Sequence, residues 1–142
     1  MFNKINGNTL DISRFDAMVE GIASHDDGAT VVDTGSNTFM PLVSYINEVH
    51  LPELLQNEAG KRMFLHTIIG GGDNVADTLA GVLSIARSIP DVPLVIWLNQ
   101  HFGPTTGAGG KPITETKAWQ EIADRVAGVV TLPNRTSDTY GA

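Results

Sequence analysis

Apolar residues follow two spacings along the chain, a helical one and short continuous runs. Helical spacing starts after Ser13 and recurs in four further stretches, the clearest of them after Asn74. Four short runs rich in β-branched and aliphatic residues are typical of buried strands: residues 29–33, 62–69, 94–99 and 128–133. Strands that alternate with helices in this way predict an α/β domain with a mainly parallel sheet of about four strands and flanking helices.

Two of these strands end on polar residues, Asp33 and Asn99. The carboxyl ends of parallel strands share one edge of a sheet, and ligands of open α/β sheets bind outside that edge. The sequence therefore predicts that Asp33 and Asn99 lie on a common edge. Asp33 has a second interpretation, because an aspartate before Gly35 also serves to open a turn or to cap the next helix. The segment by itself does not decide between them.

A glycine run, residues 70–72, connects the second strand to the clearest helix. Such a run can present backbone N–H groups to an anion. It does not match the phosphate-binding pattern G-x-x-x-x-G-K-[ST], and Asp73 would occupy the helix terminus that a phosphate needs. Close packing of the strand onto the helix is the favoured interpretation.

The histidines and tryptophans have simpler interpretations. His25 with its two acidic neighbours fits a solvated loop better than a metal site, and His66 fits a hydrogen-bonded residue of its strand better than a ligand. Trp97 lies within an apolar strand and Trp119 on the inward side of a helix, so burial is predicted for both.

Composition limits the class of protein. The chain has 142 residues, no cysteine and a net charge of -7, and its nine cations are scattered. Scattered cations argue against direct nucleic-acid binding, and no apolar run is long enough to predict a membrane span. The first residues lack a signal-peptide core, so a cytoplasmic protein is expected. We expect a lead-in over residues 1–10, one α/β domain over 11–135 and a flexible tail over 136–142.

Residues 29–39, continuing through Pro41 and Leu42, read as an apolar strand followed by D-x-G, small polar residues, an aromatic and x-P-L. This pattern resembles the Walker B strand and following helix of the ParA/MinD-like P-loop ATPases, and most closely their TraL-type conjugal-transfer branch. Residues 97–104, W-L-N-Q-H-F-G-P, resemble a second segment of TraL-type proteins. The resemblance extends over residues of about 10 to 135.

The resemblance implies a partial P-loop NTPase fold, the carboxyl-terminal part of a TraL/ParA-like plasmid conjugal-transfer ATPase. It implies that Asp33 supports a magnesium ion through bound water, and that Asp33, Gly35 and Asn99 contact a nucleotide. Nothing before Asp33 matches the phosphate-binding loop. No catalytic residue and no cofactor are therefore assigned to this chain alone, which is not expected to be an enzyme, and Mg-ATP is implied only for a full-length parent.

Other hypotheses remain open. The chain can be a non-catalytic α/β interaction module of a transfer or partition assembly. A small hydrolase is disfavoured, because no G-x-S-x-G or similar nucleophile turn exists. The implied absence of a neighbouring strand beside residues 29–33 predicts self-association as a dimer, or pairing with a missing amino-terminal half. Proteins of the conjugation machinery are further candidate partners.

Overall fold

A computed structural model describes residues 6–135, with side chains from Ile12 onward. Its backbone contacts divide the chain into two units, and the boundary along the sequence lies between Met63 and Phe64. Each unit is described by itself. The first contains helices α1 (Asn6–Ser24), α2 (Ser36–Glu48) and α3 (Leu51–Ala59). The first helix thus begins at Asn6 rather than at Ser13.

The core of the first unit is apolar with one buried phenol. The Tyr45 ring lies 5.3 Å from the Phe15 ring, and the Tyr45 hydroxyl donates a 2.6 Å hydrogen bond to Asp16. Burial, and then the hydrogen bond to Asp16, raise the pKa of Tyr45 to about 12. The buried apolar side chains of this unit are Phe15, Val19, Leu42, Val43, Ile46, Leu51 and Leu55.

Residues 29–33 do not form the predicted strand. They are irregular between α1 and α2, and Val31 is 90% exposed. A strand needs a neighbour to accept and donate its ladder hydrogen bonds, and the described residues pair no strand with this run. The prediction of a buried fourth strand is therefore wrong, although the prediction of an α/β fold with a parallel sheet is confirmed.

The second unit is built on three parallel strands in the order β1 (Leu65–Gly70), β2 (Leu94–Asn99) and β3 (Val126–Leu132). This unit also contains helices α4 (Val75–Ser88) and α5 (Lys117–Ile122), with short 3-10 turns at Gly72–Asn74, Ala108–Gly110, Ile113–Glu115 and Ala123–Arg125. The side chains of β1 and β2 that meet the helices are almost fully buried, including Ile69, Leu94 and Ile96. They join Val82 and Trp119 in one apolar core. The predicted burial of Trp119 is thus confirmed.

Arg125 closes the end of this unit opposite the strand carboxyl ends. Its guanidinium donates to the carbonyl oxygens of Ala86, Ile89 (2.7 Å) and Val92 (2.9 Å). These carbonyls belong to the end of α4 and to the turn after it, where no further helical turn supplies partners. A cation at a helix carboxyl terminus also interacts favourably with the helix dipole. Arg125 therefore joins the end of α4 to the start of β3.

Candidate functional site

The carboxyl edge of the sheet is the place where a ligand site of this fold is expected. Gly70, Asn99 and Leu132 are aligned across the three strands at this edge. The loop after β1 leads through glycines to α4, and the loop after β2 runs through residues 100–104. The chemistry available here depends on how these two loops are held.

Backbone hydrogen bonds tie the two loops to each other. The N–H of Gly71 donates to the carbonyl oxygen of Asn99 at 2.8 Å, and the N–H of Gly72 donates to that of Pro104 at 3.0 Å. The N–H of Gln100 donates to the carbonyl oxygen of Leu132 at 2.9 Å, which adds the end of β3. The edge is therefore a connected backbone network across all three strands.

Glycine is required at this contact for steric reasons. A Cβ atom on Gly71 would lie 1.9 Å from the carbonyl oxygen of Gly103, and one on Gly72 would lie 2.4 Å from that of Phe102. Gly72 also has a φ of +63° and Gly103 a φ of +134°, which other residues adopt at a cost. We name the contact between residues 71–72 and 102–104 the glycine lock.

The glycine lock bears on the choice between packing and anion binding. Because the N–H groups of Gly71 and Gly72 already donate to protein carbonyls, they do not form a cradle for phosphate. Gly70 donates its N–H to the Thr78 hydroxyl at 3.0 Å, and a Cβ on Gly70 would lie 3.2 Å from Asn74 Cβ. This geometry favours the packing interpretation: Gly70 allows the strand to approach α4, and its neighbours allow the two loops to meet.

Asn99 ends β2 as predicted, and its side chain is partly used by its own loop. The amide oxygen accepts a 3.1 Å hydrogen bond from the N–H of His101, a local turn that asparagine commonly forms. Within residues 12–135, the NH2 group is the part of this side chain that remains for an external acceptor. Asn99 is thus fixed in orientation at the edge.

Asp33 and Gly35 stand in a different setting from Asn99. Asp33 is exposed on the irregular segment of the first unit. Gly35 precedes α2, and its carbonyl oxygen accepts hydrogen bonds from the N–H groups of Thr38 and Phe39 at 3.0 and 3.2 Å. Because no strand delivers Asp33 to a sheet edge, the argument that placed it beside Asn99 no longer holds. Asp33 is also not the residue whose side chain caps α2.

The tip of the loop after β2 carries two exposed rings that the sequence did not single out for a role. Phe102 is 70% exposed, and its ring contacts His101 edge-on with 4.5 Å between the ring centroids. The glycine lock holds the backbone that carries this phenylalanine. The sequence shows an aromatic residue next to Gly103. Only the structure shows that the backbone around it contacts Gly71 and Gly72.

The histidine-aspartate clusters do not converge. Within residues 12–135, no group of three or more metal-ligating side chains is close enough to hold an ion. His25 is exposed and its Nδ1 lies 3.3 Å from the Gly21 carbonyl oxygen, in agreement with the loop interpretation. His66 is hydrogen-bonded as predicted, since its Nδ1 accepts from the indole N–H of Trp97 at 3.1 Å. No described helix has the length and apolar character needed to cross a membrane.

Two curated proteins from Escherichia coli, each named Protein TraL, are 34% identical to this chain over 140 residues. The chain is similar to TraL. The match takes in 98% of this chain and 57% of each relative, so the chain spans just over half the length of the curated TraL relatives it matches. No protein-family model and no solved structure matches the chain.

The comparison supports one part of the resemblance stated from the sequence. Similarity to TraL extends over nearly the whole chain, including both segments that carried the resemblance. The affiliation with ParA/MinD-like ATPases receives no support from these comparisons.

Proposed function

We propose that this chain is a TraL-type protein that acts in conjugal plasmid transfer. The observation that carries the proposal is the 34% identity to two TraL proteins over 98% of the chain. Identity at this level over so long a stretch reflects a shared fold and not a shared motif. Since 57% of each relative is matched, the activity of a whole TraL protein extends to this chain only as part of the proposal.

We further propose that the chain contributes a binding surface for another protein of the transfer machinery. In support of this, the loop after β2 presents Phe102 in an exposed position on a rigid base. Exposed aromatic side chains on rigid elements are common anchors of protein interfaces. The acidic charge of -7 further disfavours direct binding of nucleic acid.

A second candidate is nucleotide binding by a longer protein of which this sequence forms a part. In this second candidate, Mg-ATP is contacted by Asp33, Gly35 and Asn99, as the ParA/MinD resemblance implies. One observation favours it, the position of Asn99 at the carboxyl edge of a parallel sheet. The occupied N–H groups of the glycine lock weigh against a phosphate site in this chain itself.

The test is a chimera of the E. coli relative in which the matched 140 residues are replaced by this chain. It is expressed in cells that carry a conjugative plasmid from which the relative's gene has been deleted. The frequency of transfer of that plasmid is measured. We expect the chimera to restore transfer above the level without the gene. A chimera with an unrelated folded segment of equal length is the control, and equal transfer by both would refute the proposal.

Two substitutions in the chimera separate the candidates. If the loop after β2 is a protein-binding surface, Phe102→Ser lowers transfer and Asp33→Ala leaves it unchanged. If the chain serves a magnesium-nucleotide site, Asp33→Ala lowers transfer and Phe102→Ser has little effect. Phe102 and Asp33 are both exposed, so neither substitution is expected to unfold the protein.

A further inference from the structure

Apolar side chains remain accessible in both units. In the second unit Trp97 is half-buried, because it alternates along β2 with Ile96, which packs into the core. The burial predicted for Trp97 is therefore only partly realised. In the first unit the accessible apolar side chains line a groove between two helices. We name it the α1–α3 groove and define it by Val19, Glu20 and Ala23 of α1 and Leu54, Leu55, Glu58 and Ala59 of α3.

The α1–α3 groove is apolar apart from its two glutamates. Val19 and Leu55 are buried, and Leu54 is 38% exposed. In both helices an alanine follows the buried residue by one turn, Ala23 after Val19 and Ala59 after Leu55, and these small side chains leave space between the helices. The volume of the groove is about 200 Å³, below the roughly 300–1,000 Å³ typical of small-molecule sites. The groove therefore fits side chains of a polypeptide better than a cofactor.

The two glutamates give the groove an acidic rim. Glu20 on α1 and Glu58 on α3 are both exposed. Within residues 12–135, neither carboxylate forms an ion pair or accepts a hydrogen bond. The cation nearest to Glu58 in sequence, Lys61, donates instead to the carbonyl oxygen of His25 at the end of α1. Both carboxylates are thus available to a cationic partner.

The net charge of the chain is concentrated in the unit that contains the groove. Residues 12–63 include eight acidic and three basic residues, a net charge of -5, whereas residues 64–135 include six acidic and five basic residues, a net charge of -1. Charge complementarity guides encounter and fixes which partner is accepted. The first unit therefore favours a basic partner, and the second unit has no comparable preference.

The shape of the groove indicates the kind of segment that fits it. A groove between two packed helices is a surface on which a third helix can pack. Val19 and Ala23 are four residues apart, about 6 Å along a helix axis, and side chains one turn apart on a partner helix have the same separation. We propose that the α1–α3 groove binds an amphipathic helix of a partner protein, which inserts two aliphatic side chains and pairs Lys or Arg residues with Glu20 and Glu58.

This surface is separate from the loop after β2 considered above. It lies in the first unit, and it is argued from the groove and its charge without reference to conjugation. Binding of helices by aliphatic anchors at one-turn spacing is a common mode of peptide recognition. Phe102→Ser should leave binding at the groove unchanged, so the two proposals stand or fall separately.

The test uses a synthetic helical peptide as the probe. The peptide is rich in alanine, is about 15 residues long, and has two leucines four positions apart with lysines on both sides of that pair. One comparison peptide has glutamate in place of each lysine, and the other has alanine in place of each leucine. Binding is followed by NMR titration of the backbone amides of this chain, up to millimolar peptide. We expect saturable shifts at residues 19–23 and 54–59 with the lysine-leucine peptide only.

Ala23→Phe tests whether the peptide occupies the groove, and Ala17→Phe is its matched control. Both alanines are exposed on α1, and Ala17 does not line the groove. A phenyl ring at position 23 fills the space that the leucines need. We expect Ala23→Phe to weaken binding of the peptide at least about tenfold, since the burial of an aliphatic side chain is lost. Ala17→Phe should bind the peptide like wild type.

Glu20→Gln combined with Glu58→Gln tests the acidic rim. Its control is Glu48→Gln combined with Asp27→Asn, which removes two exposed acidic charges outside the groove. Exposed ion pairs are weak, so we expect the rim variant to weaken binding about threefold to tenfold. The control should stay close to wild type, and added salt should weaken binding to wild type.

Four results would overturn the proposal: no saturable shifts at millimolar peptide, shifts centred outside the groove, full affinity in Ala23→Phe, or equal affinity in the two charge variants. If Ala23→Phe does not fold, the alanine-for-leucine peptide and the charge variants still decide. A dimer that is detected by light scattering and dissociates in Ala23→Phe would assign the groove to a second copy of the chain, which also overturns the proposal.

Discussion

Replacing Gly71 by alanine should destabilise the second unit through the glycine lock. The backbone of Gly71 is in an ordinary extended conformation, with a φ of -77°. The cost therefore comes from the new Cβ atom, which would lie 1.9 Å from the carbonyl oxygen of Gly103. Since real Cβ contacts are not shorter than 3.0 Å, the two loops must move apart.

The movement removes the hydrogen bonds that hold the lock. The N–H of Gly71 donates to Asn99 and that of Gly72 donates to Pro104, at 2.8 and 3.0 Å, and both bonds lengthen beyond range when the loops separate. A lost backbone hydrogen bond costs about 1 kcal/mol, and a buried group left unpaired costs about 1–3 kcal/mol. We expect Gly71→Ala to lower the free energy of unfolding by roughly 2–4 kcal/mol.

Urea denaturation followed by tryptophan emission measures this loss. Both tryptophans of the chain, Trp97 and Trp119, lie in the second unit, so their emission reports the unfolding of that unit. With a slope of about 2 kcal/mol per molar urea, the denaturation midpoint should fall by roughly 1–2 M.

Gly81→Ala is the matched control in the same unit. Gly81 lies inside α4, and nothing is within 4 Å of the position of a Cβ atom. Alanine in a helix interior is about 0.5–1 kcal/mol more favourable than glycine, so Gly81→Ala should raise the midpoint. A Gly71→Ala protein whose stability stays within about 0.5 kcal/mol of wild type would refute the glycine lock.

Three further predictions address other parts of the molecule. Arg125→Met leaves the carbonyl groups at the end of α4 unpaired and should cost roughly 2–4 kcal/mol in the same assay, whereas Arg87→Met, which removes an exposed ion pair, should leave the midpoint nearly unchanged. Burial and its hydrogen bond raise the pKa of Tyr45 from 10.0 to about 12, so the folded state holds this proton more tightly than the unfolded state. Stability from this group is thus complete below pH 10 and declines as the pH rises from 10 toward 12. Alkaline denaturation of wild type and Tyr45→Phe tests this, since the variant should lack that part of the decline. Calorimetric titration of the isolated chain with Mg-ATP should show no micromolar binding, and micromolar binding abolished by Asp33→Ala would favour the nucleotide candidate.

Local patterns in the sequence were sufficient to predict the elements of the second unit. The apolar run that ends at Asn99 predicted β2 with the bounds that the structure shows, and helical spacing after Asn74 predicted α4. In the first unit, Gly60 likewise ends α3 as expected, with a φ of +63°. These predictions succeeded because periodicity, chain stops and turn chemistry act between residues that are close in sequence.

The run at residues 29–33 shows the limit of that reasoning. Its composition is that of a buried strand, yet it is irregular and Val31 is exposed. The formation of a strand depends on a hydrogen-bonding neighbour, and the identity of that neighbour is not written in the run itself. The argument that placed Asp33 at the sheet edge fails for the same reason, since it depended on this strand.

The sequence by itself determined that Trp97 belongs to an apolar strand and that residues 70–72 connect this kind of strand to a helix. Only the tertiary structure decided which face of the sheet Trp97 occupies and what the glycines contact. A strand that is apolar on both faces has no alternation to mark the side that α4 covers. The partner of Gly71 lies more than thirty residues away, at Gly103. Such contacts arise from the register of the sheet and the path of the loops, which no local spacing records.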